Sequence, residues 1–286
     1  MIGFGASISD AQAYRRYAEP GVELAKEADS VVFAFSGVSP AGRTGNLLLD
    51  AAARCPDLEA LVLLQPHVEI TDPDLCAKIR QSLSDPDVAV LGAAGSTGGR
   101  SIAWWEGDVS AAPLSHAYME HGTGELPAFS WTERTPPPAA VEVVDEQLVV
   151  LSPWAVHNVR FDESLVLNRG FVLDYCRQVR AQGRKVQVAD LRATLHQSIE
   201  LVGNLDLWTE AHIRFAETAS QIAGESLDEQ GWKRRTRRAE AEREAARAFA
   251  FSRSLNLDAH VLALEREVAN RTDTLSWRLT APLRAV

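Results

Sequence analysis

The sequence predicts an α/β fold: a mostly parallel sheet flanked by helices, with a helical C-terminal extension. Three observations carry this reading. Short apolar runs rich in β-branched residues recur between Ile2 and Val90, each bounded by Gly, Pro, Asp or Ser. Helical patterns separate them, the alternation that builds a parallel sheet covered by helices. After Ala219 the composition shifts to Ala, Glu and Arg with few large apolar side chains, a helix-forming mixture.

The expected strands are IGFGASI, SVVFAF (Ser30 to Phe35), LVLL (Leu61 to Leu64) and VAVLG (Val88 to Gly92). Between them Asp10 to Lys26, Ala41 to Ala53 and Asp72 to Leu83 read as helices. The last is opened by Thr71-Asp72-Pro73-Asp74, with a capping residue ahead of proline at the first helical position. LVLL is stopped by Gln65-Pro66-His67 and so reads as a buried strand whose carboxyl end opens onto a crevice. Gly95 to Pro138 has little periodicity and reads as a functional or mobile segment. VEVVDEQLVVLS (Val141 to Ser152) reads as two short strands around a polar break. A helix from about Gly170 to Ala181, a strand from Lys185 to Val188 and a helix from Asp206 to about Ala219 complete the pattern.

Residues 1–219 are thus expected to form one domain and residues 220–286 a helical tail. Within the tail Leu257, Val261, Leu264, Val268, Arg271 and Leu275 follow the three-and-four spacing of a seam between helices. A homo-oligomer or a partner protein held through this helix is expected. The end of the chain, with Trp277, Leu279 and Leu283 among Arg278 and Arg284, also suits contact with a membrane surface.

The formal charge of -10 argues against non-specific nucleic-acid binding and for small-molecule or protein partners. Cys55, Cys76 and Cys176 are scattered without metal-ligand spacing, which fits a reducing compartment and small core side chains. MIGFGASISDAQ lacks the cationic and then apolar pattern of a secretory leader, and no run approaches the roughly 20 apolar residues of a membrane span. A cytoplasmic location is expected, with peripheral contact at the inner membrane face through the tail.

Common motifs are missing. IGFGASISD lacks the third glycine of a dinucleotide fingerprint, and no acid ends the next strand to hold a ribose hydroxyl. No GxSxG nucleophile elbow is present, and AGRTGN (Ala41 to Asn46) is too short for a phosphate loop. What stands out is an ordered series of phrases: LLQPHVEITDPD, DPDVAVLGAAG, AWWEG, VVDEQLVVLSPWAVHNVRFDESL, GFVLDYCRQVRAQGRKVQVAD and LHQS. In that order they resemble the bacterial family 2 glycosyltransferases of the GT-A fold, over Met1 to about Ala219. SWRLTAPLR near the end resembles the closing phrase of many bacterial glycosyltransferases.

The resemblance implies a GT-A type, Rossmann-like sheet, transfer of a sugar from a nucleotide-diphosphate donor to an acceptor hydroxyl, and Mn or Mg bridging the diphosphate. A hard cation would neutralise charge on the leaving group as the glycosidic bond breaks. The position of the acidic DxD motif is here Gln65-Pro66-His67, which offers a neutral oxygen and a neutral nitrogen. His196 of LHQS matches a histidine that completes the metal site in many relatives, so His67 and His196 are the candidate metal ligands. Where inverting members place a general base, this chain has Val172. Asp174, two residues and about 200° further round the helix, and Asp145, at an acceptor-side Asp-Gly position where Glu146 replaces the glycine, are the candidate catalytic carboxylates. Ser7, Gly37, Gln65, Trp104, Trp105, Glu106, Arg100 and Arg169 are the candidate substrate-binding residues, the tryptophans and Glu106 for sugar stacking and hydroxyl recognition and the arginines by position.

Two functions follow. One is an active nucleotide-sugar transferase with an atypical metal site, in which Arg, His or helix amino termini meet the diphosphate. The other is a catalytically degenerate protein of the same fold that acts as a binding or scaffold partner of an active transferase, motivated by the departures at His67 and Val172.

Overall fold

The computed structural model describes residues 1–36, 41–98, 101–112, 114–118, 122–125, 136–164, 170–196, 204–222 and 230–272. Its first half runs β1 (Ile2–Ile8), α1 (Ala11–Ala13), a π-helical turn (Tyr14–Ala18), α2 (Glu19–Ala25), β2 (Val31–Ser36), α3 (Ala41–Ala52), β3 (Ala60–Leu64), β4 (Val68–Ile70), α4 (Leu75–Ser82) and β5 (Val88–Gly92). There follow β6 (Ala94–Thr97), a 3-10 turn (Trp104–Glu106), β7 (Asp108–Ala111), β8 (Leu114–Tyr118), β9 (Gly122–Glu125), β10 (Ala139–Val141), β11 (Val143–Val144) and β12 (Leu148–Leu151). The remainder is α5 (Pro153–Asn158), α6 (Phe171–Ala181), β13 (Lys185–Val188), β14 (Ala193–Leu195), α7 (Leu205–Ile222) and α8 (Gln230–Thr272).

The central sheet has seven strands in the order β10-β13-β5-β12-β3-β1-β2. Strands β1, β2, β3, β5 and β13 run in one direction, and β10 and β12 run against them. This is the largely parallel, helix-flanked α/β sheet that the strand and helix alternation predicts. β3 lies between β1 and β12 and its Leu61 and Val62 are fully buried. Burying each such side chain contributes about 1.5–3 kcal/mol, so the LVLL run belongs in the middle of the sheet. β2 is the edge strand, and its Val31 and Val32 are exposed.

Gly95 to Pro138, read from its lack of periodicity as a functional or mobile segment, contains four short strands among its described residues. β6 pairs antiparallel with both β7 and β11 in a three-stranded sheet, and β8 and β9 join β4 and β14 in a four-stranded one. The strands are short and Gly- and Ser-rich, and their register comes from partners distant in sequence, so no local alternation announces them. Regular α4 begins at Leu75, three residues after Asp72, the expected cap; Asp72 Oδ1 accepts the Asp74 amide at 3.1 Å while Oδ2 meets Lys78, whose Nζ also reaches Asp190.

α8 is one long helix, and its first half packs against the preceding elements. Ala241, Ala245 and Ala248 are buried, and the Trp208 indole donates to the Ala241 carbonyl at 3.2 Å. Small side chains permit this close approach. A buried polar cluster closes the contact: Ser101 Oγ donates to Glu244 Oε2 at 2.7 Å, and His212 Nε2 lies 3.0 Å from the same oxygen. Removing Glu244 would leave buried partners unsatisfied. Urea unfolding of Glu244→Ala is expected to show stability lower by about 1–3 kcal/mol.

Gly21 of α2 faces the backbone of β4, and a Cβ there would overlap the Ile70 nitrogen and carbonyl oxygen. Backbone cannot move aside as a flexible side chain can. Gly21→Ala is therefore expected to lower stability by about 1–3 kcal/mol in the same measurement, with a reduced melting temperature.

Candidate functional site

A cavity of about 190 Å³ opens at the carboxyl ends of β1 and β3. Strand β1 and the turn after it supply Gly5, Ser7 and Ser9, the amino-terminal half of α3 supplies Ala41 and Gly45, and β3 with its exit supplies Leu63, Leu64 and Gln65. Glu146 just before β12, Val149 of β12, which pairs with Leu63, and Phe171 and Val172 at the start of α6 complete the lining. Gly170, at φ +92°, turns the chain through the left-handed region immediately before α6. That turn brings Phe171 and Val172 to the cavity wall.

The exit of β3 is held by one residue. The Gln65 amide donates to the Gln147 carbonyl at 3.3 Å, and the His67 ring pairs through Nε2 with Gln147 Oε1 at 3.1 Å. His67 thus makes a structural hydrogen bond at the strand end. Burial holds its pKa below the ordinary 6.5, the Gln147 contact acting against that effect. His196 is brought alongside by the β4–β14 pairing, its amide donating to the His67 carbonyl at 2.8 Å. Its own ring stacks on Tyr17 at 3.9 Å, and its Nε2 lies 2.6 Å from Glu69 Oε2.

The two histidines expected as metal ligands are therefore neighbours along the backbone, each engaged with a different side-chain partner. Among the described residues no three His, Cys, Asp or Glu side chains are grouped to hold a metal ion. Mn and Mg favour oxygen donors and anionic charge, whereas the exit of β3 offers Gln65, Pro66 and His67. Among the described residues, the exit of β3 does not offer the donor set that a hard divalent cation prefers.

The candidate carboxylates divide. Asp174 is buried but is absent from the cavity lining; its Oδ2 accepts from Gln178 Nε2 at 2.8 Å, and burial raises its pKa. Two positions separate it from Val172, which does line the cavity. Asp145 is half-buried at the end of β11, with its amide donating to the Ala94 carbonyl, and it too is outside the lining. Glu146, noted in the sequence only as a replacement for glycine, is the carboxylate in the cavity wall. Its signal was the polar break Asp145-Glu146-Gln147 between two apolar runs.

Of the expected substrate contacts, Ser7 and Gln65 line the cavity. Trp104 and Trp105 do not offer open faces to a sugar: both are buried, edge-to-face at 6.1 Å, and Trp105 packs on Trp208 of α7 at 5.7 Å. Large aromatic area is better buried than exposed, and the contact with α7 supplies that burial. Glu106 lies in the same 3-10 turn. Gly37, Arg100, Arg169 and the closing SWRLTAPLR lie outside the described residues.

His67 yields a pH prediction. Its folded-state pKa is depressed, so the unfolded chain takes up the proton first, and stability present above the ordinary 6.5 is lost as pH falls through and below that value. Thermal unfolding across about pH 7.5 to 5 is expected to show a shallower acid loss in His67→Gln than in the parent. Ring titration by NMR should give His67 a pKa below 6.5.

No protein-family model matches the chain. It is 28% identical over 201 residues to the streptomycin biosynthesis protein StrF of Streptomyces griseus, a match that takes in 69% of this chain and 67% of StrF. Among solved structures, a mannosyltransferase from Pyrobaculum calidifontis in complex with GDP-Man and Mn2+ aligns with TM-score 0.47 and 12% identity, over 99% of this chain and 84% of that one. GalNAc-T7 with UDP, GalNAc and Mn2+ aligns with TM-score 0.47 and 9% identity over 85% of this chain. This chain spans 54% of that structure's length.

Proposed function

We propose that the chain transfers a sugar from a nucleotide-diphosphate donor to an acceptor hydroxyl, at the cavity between β1, β3, α3 and α6. One observation carries the reading. Gln65, Glu146 and Val172, far apart in sequence and belonging to three phrases of the glycosyltransferase resemblance, line a single cavity at the carboxyl end of the central parallel strands. Ligands of open α/β sheets bind at such strand ends. The likeness to a streptomycin biosynthesis protein agrees with a biosynthetic role.

In this reading the donor diphosphate meets neutral and main-chain groups. Ser7, Ser9 and Gln65 offer hydroxyl and amide hydrogens to phosphate oxygens, and the amino end of α3, beginning at Ala41 in the cavity wall, offers the positive pole of a helix. Val172 has no proton-accepting group, so deprotonation of the acceptor falls to Glu146 across the cavity. Its carboxylate takes the acceptor proton as the hydroxyl oxygen attacks the sugar, and the nucleoside diphosphate departs. The apolar wall of Leu48, Leu63, Val149 and Phe171 excludes water that would hydrolyse the donor.

A titration panel of UDP-, GDP- and dTDP-sugars, each run with and without a chelator, tests the site. Binding of at least one donor that survives chelation is expected, and binding of none would overturn the proposal. With the donor identified, Glu146→Gln is expected to reduce transfer by about 10²–10⁴-fold while leaving donor affinity nearly unchanged. Donor binding without transfer or hydrolysis by the parent protein would instead favour the scaffold reading, to which Val172 at the base position already points.

A further inference from the structure

We propose that the distal part of α8 joins two copies of this chain in a parallel, in-register, two-stranded coiled coil. This inference stands on α8 and is independent of the transferase reading. Past Phe251 four large apolar side chains of the helix stand exposed: Leu257, Val261, Leu264 and Val268 are 57%, 51%, 47% and 59% exposed. Single surface leucines are ordinary, but a continuous apolar stripe on an exposed helix marks a partner surface.

The residue types select the partner. Steps of four, three and four along the stripe place Val261 and Val268 at a positions and Leu257 and Leu264 at d positions of a heptad. β-branched side chains at a with leucine at d pack best between two parallel strands, whereas leucine at a with β-branched residues at d favours larger assemblies. A second copy of the same helix supplies the same stripe.

The charges beside the seam fix its direction. In a parallel, in-register pair each g residue faces the e residue five positions on in the other strand. That sets Arg253 against Asp258 of the second copy, and His260 against Glu265 of the second copy. Both pairings are favourable or neutral. An antiparallel pair would set e against e and bring the acidic Asp258 and Glu265 together. Arg271 takes the next d position and pairs within its own helix with Glu267, so the seam carries one charged residue that costs stability but opposes slippage to another register.

Leu262 is also exposed, at 53%, but falls at a b position off the seam, which makes it the internal control. Light scattering on the full chain is expected to give the mass of two chains. Val261→Glu with Leu264→Glu should halve it, and Leu262→Glu should leave it unchanged with the same melting temperature. In a Cys55→Ser background, Leu257→Cys and Val268→Cys should each, as separate variants, form a disulfide-linked dimer on mild oxidation, because identical residues meet all along a parallel in-register seam. A monomeric parent, an assembly of three or more chains, a dimer that survives the double glutamate variant, or cross-linking at only one or neither position would overturn the proposal.

Discussion

The antiparallel pairing of β12 with β3 is the constraint on which the rest of the structure depends. β12 fills the gap between β3 and β5, satisfying the hydrogen-bonding edges of both and joining the two parallel halves of the sheet. Its register, Leu148 opposite Leu64, sets Gln147 at the exit of β3, where it holds the Gln65 amide and the His67 ring. Glu146 then reaches the cavity wall. All four residues of β12 are buried, so a slip of one residue would exchange which of them meets which layer, mispacking both faces and moving Glu146 from the cavity.

That pairing also explains why neutral side chains are stable at the exit of β3. A pair of carboxylates at a buried strand end needs a cation, since each desolvated charge without a partner costs several kcal/mol. The neutral His67 ring needs only a hydrogen bond, which Gln147 Oε1 supplies, while the Gln147 carbonyl accepts the Gln65 backbone amide. Burial favours the uncharged imidazole, so the exit of β3 is held together without net charge. In the transferase we propose, the electrostatic work on a diphosphate falls to hydroxyls, amides and the end of α3.

The first ninety residues or so were legible because their signals are local. The LVLL and VAVLG runs and the patterns at Ala41 and Asp72 announce their elements within a few residues, and these strands and helices appear with end points that differ by at most three residues. β6, β7 and β14 were not legible, because short Gly-, Ser- and Ala-containing strands take their conformation from partners elsewhere in the chain. Trp104 and Trp105 show the same limit in the site: an indole pair suits a sugar face or a core equally, and the presence of Trp208 on α7 settles it for the core.

The alternation of strands and helices, the neutral Gln65-Pro66-His67 that stops an apolar run and the heptad stripe on α8 are properties of residue order, readable because each repeats or breaks within about one turn or strand length. The convergence of Gln65, Glu146 and Val172 on one cavity, the engagement of His67 and His196 by separate partners, and the anchoring of α8 through Glu244 arose only on folding. These contacts join residues about eighty to well over a hundred positions apart. Side-chain periodicity reports which face of an element is apolar, but which distant element covers that face is decided by sheet order and packing.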